Sequence, residues 1–186
     1  MRTRSGLRTS VITVGDDMRY VFWLAILVMA GTAAAQWRHF GENVEPVSAK
    51  PSLAREMVVS HNAVRDRVGT APLKWSEHLA SVAQEWADRL IENGHFEHSH
   101  NPKYGENLYE IEGAVATPAE VVRAWAGEVR DYDYRSNGCH GVCGHYTQIV
   151  WGDTREVGCA VARAGRREVW ACEYDPPGNW VGRKPY

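Results

Sequence analysis

The sequence predicts an α+β fold in which helices come first along the chain and antiparallel strands come last. Apolar residues recur at helical spacing in three segments between residues 53 and 128, and three short strand-like runs follow, at 146–151, 156–163 and 167–174. The chain has 186 residues, is 44% hydrophobic and contains eight tryptophans, which is typical of one domain with a packed core. Its formal net charge of -2 argues against nucleic acid or an anionic membrane surface as a partner.

The first two helices have recognisable ends. Ser52 is a suitable N-cap for a helix over residues 53–68, and Gly69 ends it. Ser76 precedes a second helix that stops at Asn93-Gly94. Residues 95–105 are polar and rich in histidine, so they form a loop. Residues 108–111 fit either a short strand or a helical turn.

The third helix has the clearest start signal. Residues 117–120 form a capping box with proline at the first helical position. Val121, Trp125 and Glu128 follow at positions i, i+4 and i+7, which places all three on the inward face. Because a buried carboxylate needs a partner, Glu128 is a candidate functional residue.

The four cysteines predict two disulfides in an exported chain, with three connectivities open. If residues 165–166 form a two-residue hairpin loop, with glycine first as in a type II′ turn, Cys159 lies directly opposite Cys172. At a non-hydrogen-bonded position the Cα atoms are then about 4.5 Å apart, which a disulfide can bridge. Cys139 and Cys143 would pair locally, and the alternative is that they remain two free thiols.

The N-terminus is typical of an export signal. Residues 20–31 are an unbroken apolar run, preceded by Arg19 and followed by three alanines ending at Ala35. We expect residues 1–35 to be removed. Asp16 and Asp17 are unusual in the positive region of a signal, so Met18 is a second candidate start.

The alternative is a retained membrane anchor, although an apolar run of 12 residues is short for a membrane span. Residues 36–50 are a polar lead-in, and residues 51–186 are the domain. The mature chain is then secreted, or periplasmic in a Gram-negative source, without a stable membrane span.

Four polar side chains stand out by position: His98, Glu106, Glu128 and His145. Two imidazoles and two carboxylates in one cavity would hold a divalent cation, zinc or magnesium, or perform acid–base chemistry. The alternative for each histidine is a hydrogen-bonded structural residue. The compact His-Glu-x-x-His motif is absent.

Six motifs occur in the same order as in a known family: His61-Asn62-x-x-Arg65, Pro72-Leu73-x-Trp75, residues 104–108 (YGENL), Trp125-x-x-Glu128 followed by Tyr132 and Tyr134, residues 144–151 (GHYTQIVW) and residues 174–179 (YDPPGN). From about Leu53 to Tyr186 the chain therefore resembles the CAP superfamily of cysteine-rich secretory proteins, insect antigen 5 and plant pathogenesis-related proteins of group one. The resemblance implies a three-layer α-β-α sandwich.

The resemblance also implies a central cavity lined by His98, Glu106, Glu128 and His145, with His100 as a substitute for His98. It assigns His61 a structural role. Plant members usually carry six cysteines, whereas this chain has four. That difference supports the pairing of Cys139 with Cys143.

Two functions from different classes follow. The first is a secreted, non-enzymatic protein for binding, defence or host interaction, with a lipid or sterol as ligand, as the resemblance implies. Tyr132, Tyr134 and Trp180 supply the aromatic character common in ligand pockets, although they fit an ordinary core as well. The alternative is a metal-dependent hydrolase, such as a protease, with Glu106 or Glu128 as base. Against that alternative, the sequence has neither a nucleophile elbow nor a zincin helix.

Overall fold

The computed structural model describes residues 52–186. The predicted signal segment, residues 1–35, and the lead-in, residues 36–50, lie outside the described residues. Within the described part, the helices are all too short or too polar to cross a membrane.

The elements follow the predicted order, helices before the main hairpin. They are α1 (Leu53–Asp66), β1 (Lys74–Trp75), α2 (Glu77–Asn93), β2 (Gly105–Glu112), α3 (Pro118–Ala126), a 3-10 helix (Gly127–Asp131), β3 (Tyr132–Asp133), β4 (Gly138–Cys139), α4 (Gly144–Ile149), β5 (Glu156–Ala164) and β6 (Arg167–Asp175). The three long helices are capped as predicted, by Ser52, Ser76 and Thr117. Thr117 and Glu120 form a capping box, in which the side chain of each accepts from the backbone N–H of the other.

The main sheet has the strand order β1-β5-β6-β2. Strands β5, β6 and β2 are antiparallel, as predicted. Strand β1 was not expected. It adds a two-residue parallel edge through the pairs Lys74–Glu156 and Trp75–Val157, which is too short to produce a period-two pattern. The run at 108–111 is a strand, and it extends over Gly105–Glu112 because it pairs along its whole length with β6.

The predicted hairpin register is confirmed. Cys159 pairs with Cys172, and Ala164 pairs with Arg167 across the loop at 165–166. Gly165 has a φ of 59°, the left-handed value that the first position of a type II′ turn requires. The Cys159–Cys172 disulfide has a Cα–Cα distance of 4.1 Å, and Cys139 is bonded to Cys143. All four thiols are therefore oxidised.

Two apolar clusters cover the two faces of the sheet. On one face, α2 packs on β5 and β6 through small side chains, including Ala83, Ala87, Ala160 and Ala171. On the other face, α1, α3 and α4 pack on larger side chains, including Met57, Trp125, Ile149 and Trp170. These layers form the α-β-α sandwich that the family resemblance implied.

One glycine fixes the distance between α2 and the sheet. Gly158 lies in β5 under the start of α2, and a Cβ built on it would come within 2.1 Å of the backbone nitrogen of Ala80. A side chain at this position would push the helix off the sheet. The α2 layer therefore lies close to the strand that carries Cys159.

Residues 146–151 were predicted as a strand, and this prediction was wrong. The segment Gly144–Ile149 is the short helix α4, and His145 lies in its first turn instead of opening a strand. Its buried apolar residues Tyr146, Ile149 and Val150 follow the helical spacing i, i+3 and i+4. An apolar run this short fits both the helical and the strand period, and only its tertiary contacts decide which structure it forms.

The placement of Glu128 also differs from the prediction. The α-helix ends at Ala126, and Glu128 belongs to the 3-10 helix that follows. Its side chain remains largely buried, as the inward-face argument required, but it points to the N-terminus of α4.

Candidate functional site

The first part of the site is a pair between His98 and Glu106. Nδ1 of His98 donates to Oε1 of Glu106 at 2.5 Å. The same carboxylate accepts from the backbone nitrogen of Ser99 at 3.1 Å. Glu106 is at the start of β2, so these bonds fasten the loop before β2 to the sheet. The hydrogen bond to Glu106 raises the pKa of His98, although partial burial opposes the rise.

The second part is a pair between His145 and Glu128. Nδ1 of His145 donates to Oε1 of Glu128 at 2.6 Å. Oε2 of Glu128 accepts from the backbone nitrogens of His145 at 3.0 Å and Tyr146 at 3.3 Å. The carboxylate thus satisfies free N–H groups in the first turn of α4, where negative charge is favourable. The Trp125 ring stacks on the His145 ring, with centroids 6.0 Å apart.

The two pairs share one arrangement. Each carboxylate is bound to the Nδ1 of its histidine and to backbone N–H groups. Each histidine therefore keeps Nε2 as its remaining ligand atom. Metal-binding histidines usually donate the N–H of their second ring nitrogen to a carboxylate, a backbone carbonyl or a water, which fixes the tautomer and the ring orientation.

The two pairs lie on adjoining elements. Asn107 follows Glu106 in β2, and its Nδ2 donates to the backbone oxygen of His145 at 3.1 Å. Among residues 52–186, the only group of three or more His, Cys, Asp or Glu ligand atoms within 4.8 Å of one another is His61, Cys159 and Cys172. Both cysteines are in the disulfide, so this group is not a metal site. The four candidate residues therefore form two neighbouring pairs and not one four-ligand cluster.

The structure separates the other histidines from the site. His100 is exposed and has a φ of 57°, whereas His98 makes the bond to Glu106. His61 is fully buried: its Nδ1 donates to the Met57 carbonyl at 2.8 Å, and its Nε2 accepts from the Tyr174 hydroxyl at 2.8 Å. Burial lowers the pKa of His61 to about 4, so it is neutral at pH 7 and serves the fold.

Arg65, which belongs to the same motif as His61, also has a structural role. Its guanidinium is buried and donates to the carbonyls of Ile149, Trp151 and Thr154, at 2.7, 2.9 and 3.2 Å. It thereby satisfies the carbonyl groups at the C-terminal end of α4 and in the turn before β5. Arg65 positions the helix that carries His145.

Sequence reasoning missed one residue beside the site, Glu173. It is opposite Glu106 in the pairing of β6 with β2, is only 1% exposed, and both of its carboxyl oxygens are buried without a hydrogen-bond partner. Burial, and then the charge of Glu106, raise its pKa to about 8. The sequence feature that could have pointed to this buried acid is a single glutamate inside the apolar run of residues 169–174.

The comparisons with known proteins agree with this architecture. The profile of the cysteine-rich secretory protein family, CAP, matches residues 59–174. The chain belongs to this family.

Among relatives, the basic form of pathogenesis-related protein 1 from Nicotiana tabacum is 46% identical over 132 residues, which is 68% of this chain and 71% of that protein. Pathogenesis-related protein 1 from Arabidopsis thaliana is 40% identical over 147 residues, which is 78% of this chain and 89% of that protein. Venom allergen-like protein 4 from Schistosoma mansoni has a solved structure that is 27% identical, with a TM-score of 0.60 over 74% of this chain and 95% of that chain. A structure of NaASP2 with Zn2+ is 22% identical with a TM-score of 0.61, over 76% of this chain and 88% of that chain, and shows the same fold.

Proposed function

We propose that this CAP-family protein is an exported, non-enzymatic binding protein with a defence or host-interaction role, and that it binds a divalent cation through His98 and His145. The observation that carries the proposal is the pair of histidines held at Nδ1 by Glu106 and Glu128, at 2.5 and 2.6 Å. Relatives named pathogenesis-related protein 1 support the defence role.

The chemistry of the donor set favours zinc over magnesium. The ligand atoms left free on the two histidines are imidazole nitrogens, which suit zinc, whereas magnesium prefers oxygen ligands. NaASP2, a protein of the same fold, has been crystallised with Zn2+. A bound zinc ion would supply a cross-link between the loop before β2 and α4.

A binding role fits the site better than hydrolysis does. The hydrolase alternative needs Glu106 or Glu128 as a base. Each carboxylate already accepts from an imidazole and from backbone N–H groups, so both are committed to positioning contacts, which favours a supporting role for them over that of a base. The four cysteines are all in disulfides, so a thiol nucleophile is excluded as well.

The test is a zinc titration of the purified protein by calorimetry, with His145→Ala and with the matched control His100→Ala, which alters an exposed histidine outside both pairs. We expect saturable binding that is lost in His145→Ala and kept in His100→Ala. Absence of binding in the wild type, or equal loss in both variants, would refute the cation proposal. Zinc-dependent hydrolysis of a peptide substrate that is lost in His145→Ala would instead favour the enzyme.

A groove between α1 and α3 supports a lipid as a second ligand. The groove has a volume of about 230 Å3, and Ala63, Val64 and Val122 give it an apolar floor. Arg67 and Arg123 lie at its edge and are exposed. An apolar floor beside two guanidinium groups suits a fatty acid, with its chain in the groove and its carboxylate on the arginines.

Displacement of a fluorescent fatty acid would test this ligand. We expect palmitate to compete and the double variant Arg67→Gln/Arg123→Gln to bind it more weakly, whereas a sterol without a carboxylate should be unaffected by the variant. Equal binding of palmitate by both proteins would contradict this placement.

Export is part of the proposal and has its own test. Expression of the full chain in an exporting host should yield a protein that begins at Gln36. N-terminal sequencing that finds residues 20–31 retained would instead support a membrane anchor.

A further inference from the structure

A second cavity lies apart from the two histidine pairs. It has a volume of about 310 Å3, near the lower end of the range for small-molecule sites, about 300–1,000 Å3. Residues between 132 and 151 form one wall and residues 179–185 form the other. His98, Glu106, Glu128 and His145 do not line it. Parts of the two longest motifs, at 144–151 and 174–179, therefore meet at a site that cation binding leaves unexplained.

The tail that forms the second wall is held in place by several hydrogen bonds. Asn179 accepts from the Thr147 hydroxyl at 2.6 Å and donates to the Gly144 carbonyl at 2.9 Å. Gly178 donates to Gln148 at 2.9 Å, and a Cβ on Gly178 would come within 2.7 Å of the Trp151 ring. The cavity is thus formed before any ligand arrives, which lowers the entropic cost of binding.

An aromatic platform lies at the edge of this cavity. Trp180 is 54% exposed, although a tryptophan normally buries most of its ring. Its Nε1 donates to the Pro177 carbonyl at 3.1 Å, which fixes the ring and satisfies its one polar group. What remains available on Trp180 is the apolar face of the indole.

The polar groups around the platform are mostly neutral. Asn137 and Asn179 each use one N–H of the side-chain amide, to the carbonyls of Arg183 and Gly144, and each amide has a second N–H to offer. The guanidinium of Arg183 lies over the Trp151 ring at 5.8 Å and is paired with Asp153 at 2.7 Å. Because Asp153 balances that charge, the cavity has little net positive charge with which to attract a free anion.

We propose that this cavity binds one or two sugar rings of a neutral oligosaccharide, with a ring packed on Trp180. A pyranose ring has an apolar C–H face and a rim of hydroxyl groups. The face matches the fixed indole, and the hydroxyl rim matches the amides of Asn137 and Asn179 and the paired Arg183. A fatty acid would leave these polar groups without partners, and an anionic ligand would compete with Asp153 for Arg183.

The test is calorimetry of the full chain with three soluble hexasaccharides, of β-1,4-glucose, β-1,3-glucose and β-1,4-N-acetylglucosamine. EDTA is present throughout, so that the result does not depend on the cation proposal. We expect at least one hexasaccharide to bind with a Kd of about 1 mM or lower. Trp180→Ala should weaken it by about ten-fold or more, since aromatic anchors dominate such contacts. Trp180→Phe should retain most of the binding because the apolar face remains.

The matched control is Phe96→Ala, which removes another exposed aromatic, 46% exposed, from the loop before β2. It should leave the affinity unchanged. If none of the three sugars binds, if Trp180→Ala binds as well as the wild type, or if Phe96→Ala loses binding equally, the proposal is overturned. Should Trp180→Ala fail to fold, the nitrogen–proton NMR spectrum of the wild type decides. The Trp180 indole signal must then be among those that shift with added sugar.

Discussion

At the scale of single residues, the site contains two histidines that are hydrogen-bonded to carboxylates, and beside them a glutamate whose carboxyl group has no hydrogen-bond partner. His98 and His145 are each held by a carboxylate, whereas both oxygens of Glu173 are buried without a hydrogen-bond partner. Folding therefore favours the protonated form of Glu173, whose pKa is raised to about 8. The unfolded chain releases this proton near its ordinary pKa of 4.5.

This difference predicts a pH-dependent stability. Between pH 4.5 and about 8 the folded protein binds more protons at Glu173 than the unfolded chain does, so this group lowers the free energy of unfolding as pH rises. Glu173→Gln should therefore stabilise the protein more above pH 8, where the folded protein must hold a buried carboxylate, than at pH 4.5. Urea unfolding at the two pH values measures the difference. The exposed Glu92→Gln serves as control. An equal gain from Glu173→Gln at both pH values would contradict the assignment.

At the scale of elements, the short helix α4 depends on contacts distant in sequence. It has six residues, and its first turn is capped by Glu128 from the 3-10 helix. At the other end, the guanidinium of Arg65 in α1 donates to the carbonyls of Ile149 and Trp151. A helix this short is not stable alone, so its two ends are fixed by neighbouring elements.

We therefore predict that Glu128→Ala lowers stability and zinc affinity together. The loss leaves the N–H groups of His145 and Tyr146 without an acceptor and frees the His145 ring, which should cost about 1–3 kcal/mol of unfolding free energy. Thermal unfolding and zinc calorimetry measure the two effects. Val129→Ala, at the exposed neighbouring position, should change neither. Full zinc affinity in Glu128→Ala would show that this carboxylate does not support the cation site.

The packing of α2 on the sheet gives another prediction at this scale. Gly158→Ala places a Cβ about where the backbone of Ala80 lies, and backbone cannot move aside as a flexible side chain can. We expect a loss of about 1–3 kcal/mol or more in unfolding free energy. Gly144→Ala is the control, since its Cβ would have 3.9 Å to the nearest atom, the Nδ2 of Asn179. Similar urea midpoints for both variants would argue against the close approach of α2.

At the scale of the whole molecule, two disulfides stabilise the C-terminal part of the chain, which carries the motifs at 144–151 and 174–179. The Cys159–Cys172 bond joins the hairpin strands within the larger apolar cluster and lies against His61. The Cys139–Cys143 bond closes the segment just before α4.

Replacing Cys159 and Cys172 together by alanine should lower the unfolding free energy by about 3 kcal/mol, since the bond closes a loop with a sequence separation of 13. Reversible urea unfolding of the double variant measures this loss. The corresponding change at Cys139 and Cys143, with a separation of 4, closes a shorter loop and should cost less. A larger loss from the Cys139/Cys143 variant would contradict the loop-entropy explanation.

Features set by neighbouring residues could be predicted from the sequence. The capping box at Thr117 depends on residues within one helical turn. The register of the hairpin depends on its two-residue loop, and this register alone places Cys159 opposite Cys172. The family motifs pointed to the same four polar residues that form the two pairs, His98 with Glu106 and His145 with Glu128.

Features set by distant residues could not be predicted. The apolar run in α4 fits a strand or a helix, and the choice depends on Glu128 and Arg65, which meet it only in the folded chain. The pKa of Glu173 is raised first by burial and then by the charge of Glu106, and both depend on a strand pairing between residues far apart in sequence. The sequence by itself thus determined the caps, the hairpin and the pairing of Cys159 with Cys172, because local geometry specifies them, and the order of its motifs indicated the family. Only the tertiary structure decided the helix at His145, the buried acid at Glu173 and the cavity at Trp180, because each is produced by long-range packing and burial.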